Sequence, residues 1–101
     1  MPWGQAEKEQ WFKEQSIKRS YVEEVVSRIE ALKASYEVTS YGALSINPKA
    51  YELYLIRSRR FNPAKKSILI TGGVHGYETS GVHGALHFFE SAAERYLDTF
   101  N

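Results

Sequence analysis

Cysteine is absent from the 101 residues. That excludes disulfides, thiolate nucleophiles and cysteine-type zinc sites, and it accords with a reducing compartment. An excess of charge is missing too, since 13 basic and 12 acidic residues leave a net charge of +1. So balanced a chain offers no electrostatic case for nucleic acid or an anionic membrane as partner. No apolar run approaches the ~20 residues that cross a bilayer. The opening "MPWGQAEKEQWF" lacks a basic stretch followed by an apolar one, so it does not read as a secretion signal. A cytoplasmic location is the expectation. There are no internal repeats, low-complexity tracts or dividing linkers. One domain is the most this length holds, and 43% apolar residues allow only a small core.

What is present reads as helices, then strands, then a helix. Residues Gln5 to Lys18 are rich in Glu, Gln and Lys, with Trp3, Trp11 and Phe12 as apolar anchors. Ser20 and Glu23 have capping-box spacing, and Val22, Val25, Val26, Ile29 and Leu32 recur as one helical stripe facing a core. Residues 36 to 46 and 51 to 60 read as strands. The "NPKA" between them favours a turn and an antiparallel hairpin. Arg57, Arg59, Arg60, Lys65 and Lys66 read as a solvated strand end and loop. "SILIT", residues 67 to 71, is short and almost wholly apolar, the pattern of a strand buried on both faces at the centre of a sheet. From Ser80, Val82, Ala85, Leu86, Phe89, Ala93, Tyr96, Leu97 and Phe100 share a helical face, with His83, His87, Glu90 and Glu94 on its polar flank. This order indicates an α/β sandwich.

The chemistry concentrates between that apolar run and that last helix. "ITGGVHGYETSG", residues 70 to 81, sets His75 and Glu78 on a glycine-lined turn. In open α/β sheets, sites form outside the carboxyl ends of strands, where loops and helix N-termini converge. Two intervening residues let an imidazole and a carboxylate turn to one side and reach one ion at ~2.0–2.2 Å, a donor pair that suits Zn²⁺. Gly72 and Gly73 remove bulk where the backbone bends, and Gly76 permits a conformation closed to other residues. Spacing and context leave a second reading open: a plain βα turn whose Glu78 sits near a helix N-terminus. His83 and His87 share a helix face at i, i+4, but that face leads away from His75. With Glu90 and Glu94 alongside as partners, they read as solvated.

The segment "ILITGGVHGYETSGVHGAL" resembles the first metal-binding segment of the zinc carboxypeptidase family. Its glycine-flanked form is also similar to the related succinylglutamate desuccinylases, aspartoacylases and murein-peptide amidases. The resemblance implies a three-layer α/β/α sandwich with a mixed sheet. This chain would supply its N-terminal helices, a β-hairpin, one central strand and the following helix. Residues 1–101 would be the N-terminal portion of a single catalytic domain, about its first third. It also implies zinc as cofactor, with His75 and Glu78 as two ligands of a His₂Glu set. The activity implied for the complete protein is hydrolysis of C-terminal peptide bonds, or of N-acyl amino acids or murein peptides in the related branches. The family's third ligand, substrate-gripping arginines and general-base glutamate lie far downstream and have no counterpart here. The chain alone is therefore expected to be inactive, and to self-associate where its central strand lacks neighbours.

Overall fold

A computed structural model describes residues 2–76 and 78–101. Helix α1 spans Gln5–Glu14. A π turn over Val22–Val26 runs into α2, Ser27–Leu32. Strands β1, Glu37–Ala43, and β2, Glu52–Arg57, precede α3, Thr79–Ser91, and a 3₁₀ turn over Ala93–Tyr96. The chain is thus a small mixed helix and strand fold with a two-stranded antiparallel sheet.

The expected hairpin forms. Glu37 pairs with Arg57 and Ala43 with Glu52, with a bulge between Ser40 and Gly42. Asn47 closes the turn through its carbonyl, which accepts from the N–H groups of Ala50 and Tyr51, both at 3.1 Å. A short polar turn with an Asn–Pro start is what the sequence supplied there.

The core is where the stripe of α2 meets α3. Val25, Ile29, Leu32, Tyr36, Leu86 and Ala93 are buried, with Val38, Tyr54, Ile56, Val82, Phe88, Phe89 and Leu97 packed around them. Val22, on the same predicted stripe, is 52% exposed. Tyr36 packs edge-on against Phe89 at 5.1 Å and donates its hydroxyl proton to the Phe89 carbonyl at 3.1 Å. Half of the predicted capping box forms, with the Glu23 N–H donating to Ser20 Oγ at 3.2 Å. Ser27 Oγ donates to the Glu23 carbonyl. That competes with the i→i−4 ladder where the helix widens into its π turn.

Charged side chains then fasten the elements. Arg28 grips Glu90 with two parallel bonds, Nε to Oε1 and Nη2 to Oε2, both 2.7 Å. Its third nitrogen, Nη1, lies 2.7 Å from His83 Nδ1. Arginine has no acceptor, so this bond requires an unprotonated Nδ1, and Nε2 is the other ring nitrogen, 3.8 Å from the Glu24 carboxylate. Glu90 and Glu94 were expected beside the imidazoles; arginines claim them instead, Arg28 the first and Arg60 the second. The bidentate fork matches a guanidinium better than an imidazole can. The basic cluster is likewise not simply solvated. Arg57 pairs with Glu37, Arg59 donates to the carbonyls of Lys33, Ala34 and Tyr36 just past α2, and Lys65 Nζ reaches the Leu97 carbonyl at 2.6 Å. A cation on the open carbonyls that follow a helix satisfies them and opposes the helix dipole.

Three expectations are corrected. Helix α1 stops at Glu14 rather than Lys18 and buries no residue; Trp3, Trp11 and Phe12 are exposed rather than anchoring it. "SILIT" is no central strand. Ile68, Leu69 and Ile70 are 55%, 80% and 44% exposed, and the segment is tied down through a bridge of Lys66 to Phe100 and an Ile68 N–H bond to the Asn101 carbonyl. The apolar pattern of a two-face-buried strand needs neighbours on both edges, and the hairpin pairs only with itself. For the same reason the sheet among the described residues is two-stranded and antiparallel, in keeping with the expected α/β class. Last, the helical face running from Ser80 to Phe100 is broken at Ala92, whose φ of −130° and ψ of −34° end α3, leaving Tyr96 half exposed.

Two measurements check this account. Leu86→Ala should lower unfolding free energy by ~2–5 kcal/mol, whereas Ile46→Ala, at a 95% exposed position, should change it by less than ~0.5 kcal/mol; equal losses in denaturant melts would place the core elsewhere. The Arg28 hydrogen bond holds the Glu90 carboxyl below its ordinary range. A lowered folded value adds stability above the unfolded carboxylate range and loses it as pH falls through the folded value. Glu90→Gln should therefore cost up to ~1 kcal/mol at pH 7, the scale of a part-exposed pair, and nothing near pH 2. A cost that is the same at both pH values contradicts the ion-pair assignment.

Candidate metal centre

The turn that carries His75 and Glu78 is shaped by backbone contact with α3. A Cβ added to Gly72 would stand 2.8 Å from the Gly81 carbonyl oxygen and 3.1 Å from Ala85 Cβ, so only glycine lets the two segments approach this closely. At Gly73 φ is +85°, in the left-handed region, and a Cβ there would meet Val82 Cγ2 at 2.9 Å. The special conformation therefore belongs to Gly73 and not, as expected, to Gly76, which has open space around it.

On this frame the chain closes a tight turn, with the Glu78 N–H donating to the His75 carbonyl at 3.2 Å. Glu78 is the residue immediately before α3, yet its side chain does not cap the helix. It turns to His75, whose Nδ1 lies 3.0 Å from Glu78 Oε2. A carboxylate only accepts, so Nδ1 donates in this pair. Both side chains are exposed, and they line an open hollow of about 200 Å³ with Thr71, Gly72, Gly73, Val74, Ser80 and Gly81. The plain-turn reading also fits this placement, since Glu78 stands immediately before α3, near the helix N-terminus.

The donor set fits a shared ion as far as it goes. Two ligands each ~2.1 Å from one zinc stand ~3.0 Å apart at a right angle and ~3.4 Å apart at the tetrahedral angle. The separation of 3.0 Å falls in that span. A metal would take the place of the Nδ1 proton between the two atoms, and a neutral His75 would then carry its proton on Nε2. Among the described residues, no group of three or more His, Cys, Asp or Glu side chains is placed to hold a metal. His83 is occupied by Arg28 and His87 is exposed farther along α3, so neither joins His75.

Arg19 is a neighbour that sequence reading missed. It donates from Nη1 to Thr79 Oγ1 at 3.2 Å, tying the segment before the π turn to the first residue of α3. Nothing in the local sequence links positions 60 apart. Among the described residues no helix is long and apolar enough to cross a membrane. Compared with protein-family models and with curated proteins, the chain matches none.

Replacing His75 or Glu78 with alanine should abolish zinc uptake, and His83→Ala or His87→Ala should leave it unchanged. With two protein donors, affinity should fall well short of that of a three-ligand site. Equal zinc by elemental analysis in the wild type and the His75→Ala/Glu78→Ala double variant overturns the assignment.

Proposed function

We propose that residues 70–81 carry the H-x-x-E half of a zinc site in a metallohydrolase that resembles the zinc carboxypeptidases. The observation that supports it most is the contact of His75 Nδ1 with Glu78 Oε2 at 3.0 Å, beside a hollow open to a substrate. An exposed histidine and glutamate gain little from pairing with each other in water. Here they face each other on a turn held by two tight glycine contacts, which is an expensive way to place an incidental ion pair.

In this reading His75 and Glu78 hold the metal, and Gly72 and Gly73 bring backbone rather than side chains to the rim of the hollow. Bound zinc would supply Lewis-acid polarisation of a carbonyl and a water of lowered pKa. A third ligand and a glutamate to move the proton would come from further along a longer protein. The substrate is a peptide with a free C-terminus; the related alternative is an N-acyl amino acid or a murein peptide.

A second reading, a non-catalytic metal-binding or interaction fragment, is favoured by the exposed run Ile68, Leu69, Ile70 and Val74. In that reading the chain associates with itself to cover apolar surface.

The first reading predicts that the 101-residue chain does not hydrolyse C-terminal peptide bonds or N-acyl amino acids above background, because catalytic groups that act as a unit fail together. A longer protein supplying a further histidine and glutamate should show activity that chelators remove and His75→Ala abolishes. Chelator-sensitive turnover by the pure short chain would mean the site is completed by residues other than those proposed.

A further inference from the structure

Two apolar surfaces lie open in this chain at once. One is the arm formed by α1 and its flanks, where Trp3, Trp11, Phe12 and Ile17 are 61%, 50%, 75% and 84% exposed. The other is the run from Ile68 to Val74, where Leu69 and Val74 are 80% and 79% exposed. The arm buries no residue of its own. A 10-residue helix does not hold itself in water, because nucleation costs more than so few propagating bonds return. The molecule is long for its size, 61 Å by 24 Å by 23 Å, with a radius of gyration of 17.8 Å. A compact chain of this length would have about 13 Å.

We propose that a second copy of the chain is what covers both surfaces. In a reciprocal exchange, α1 of each protomer lies on the 68–74 run of its partner. The proposal deepens the self-association put forward above and rests on it, not on the metal reading. A two-fold exchange suits the facts because each chain displays both halves of the contact, and an isologous pair closes with none left over. The area suffices. Arm and run together expose on the order of 1,000 Å² of apolar side chain, and covering about two-thirds of it on each of the two protomers exceeds the ~1,200 Å² at which specific interfaces begin. Charge does not oppose it, since Glu7, Glu9 and Glu14 on α1 are nearly balanced by Lys8 and Lys13. Arg19, bonded to Thr79, fixes where the arm leaves the body, beside the turn in which the apolar run ends.

The absence of cysteine makes the test clean. Light scattering at high micromolar concentration should give a dimer. Trp11→Ser/Phe12→Ser and Leu69→Ser should each weaken dimerisation at least tenfold while keeping the cooperative melt of the core. Mixing Phe12→Cys with Leu69→Cys protein under mild oxidation should give a disulfide-linked dimer of the two, in preference to either variant alone. A monomeric wild type overturns both the exchange and the self-association beneath it. A dimer that survives loss of residues 2–19 overturns the exchange alone and points to pairing at a strand edge. Zinc measured on the same samples is independent of either result.

Discussion

The approach of Gly72 to Gly81 is the contact on which the candidate site depends. It brings the backbone that leaves the apolar run within van der Waals distance of the first turn of α3, with no room for a Cβ between them. His75 and Glu78 lie in the stretch between these glycines, with His75 Nδ1 3.0 Å from Glu78 Oε2. Gly73 adds the positive φ that reverses the chain. Two exposed side chains thus acquire a defined separation from backbone packing rather than from their own burial. For a metal site that is the useful order of causes, because ligands must stay open to the ion while their spacing is set in advance.

That turn is only as well placed as α3, and α3 is placed by α2. Ile29, Leu32 and Leu86 supply the apolar contact, and the fork of Arg28 on Glu90 fixes rotation and register between the two helices. His83 accepts the third nitrogen of the same guanidinium, so the histidine nearest the candidate site in sequence is drawn into holding the helices together. Burial also acts on Tyr54 at the sheet, where it and the bond to Glu52 push the phenol up to about 12. Among the described residues, a core of six buried apolar side chains leaves little margin. The polar fasteners therefore matter more here than in a larger domain.

Much of this was legible in the sequence wherever the cause is local. The α2 stripe, the hairpin around "NPKA", the N–H bond to Ser20 and the pairing of His75 with Glu78 all follow from spacing and turn chemistry within a few residues. What was misread depends on partners. The apolar run 67–71 has the composition of a central strand, but a strand is made by its neighbours, and here none pairs with it along its length. Trp3, Trp11 and Phe12 read as anchors because aromatics usually are, yet α1 meets no surface they could enter. The Arg28–Glu90 fork spans 62 positions, and neither end signals the other. Gly73 rather than Gly76 takes the positive φ because the reversal must come before His75, against Val82, and motif spacing alone does not rank the glycines.

The two misreadings and the candidate site belong to one physical situation. The apolar run leads without interruption into Gly72, so whatever covers Ile68 to Ile70 also covers the segment that enters the turn of His75 and Glu78. At present the turn is braced on one side only, by α3. A covering layer would lower the local dielectric around His75 and Glu78 and strengthen the hydrogen bond between them. The same layer would narrow the hollow from an open face toward a cleft that can enclose a substrate.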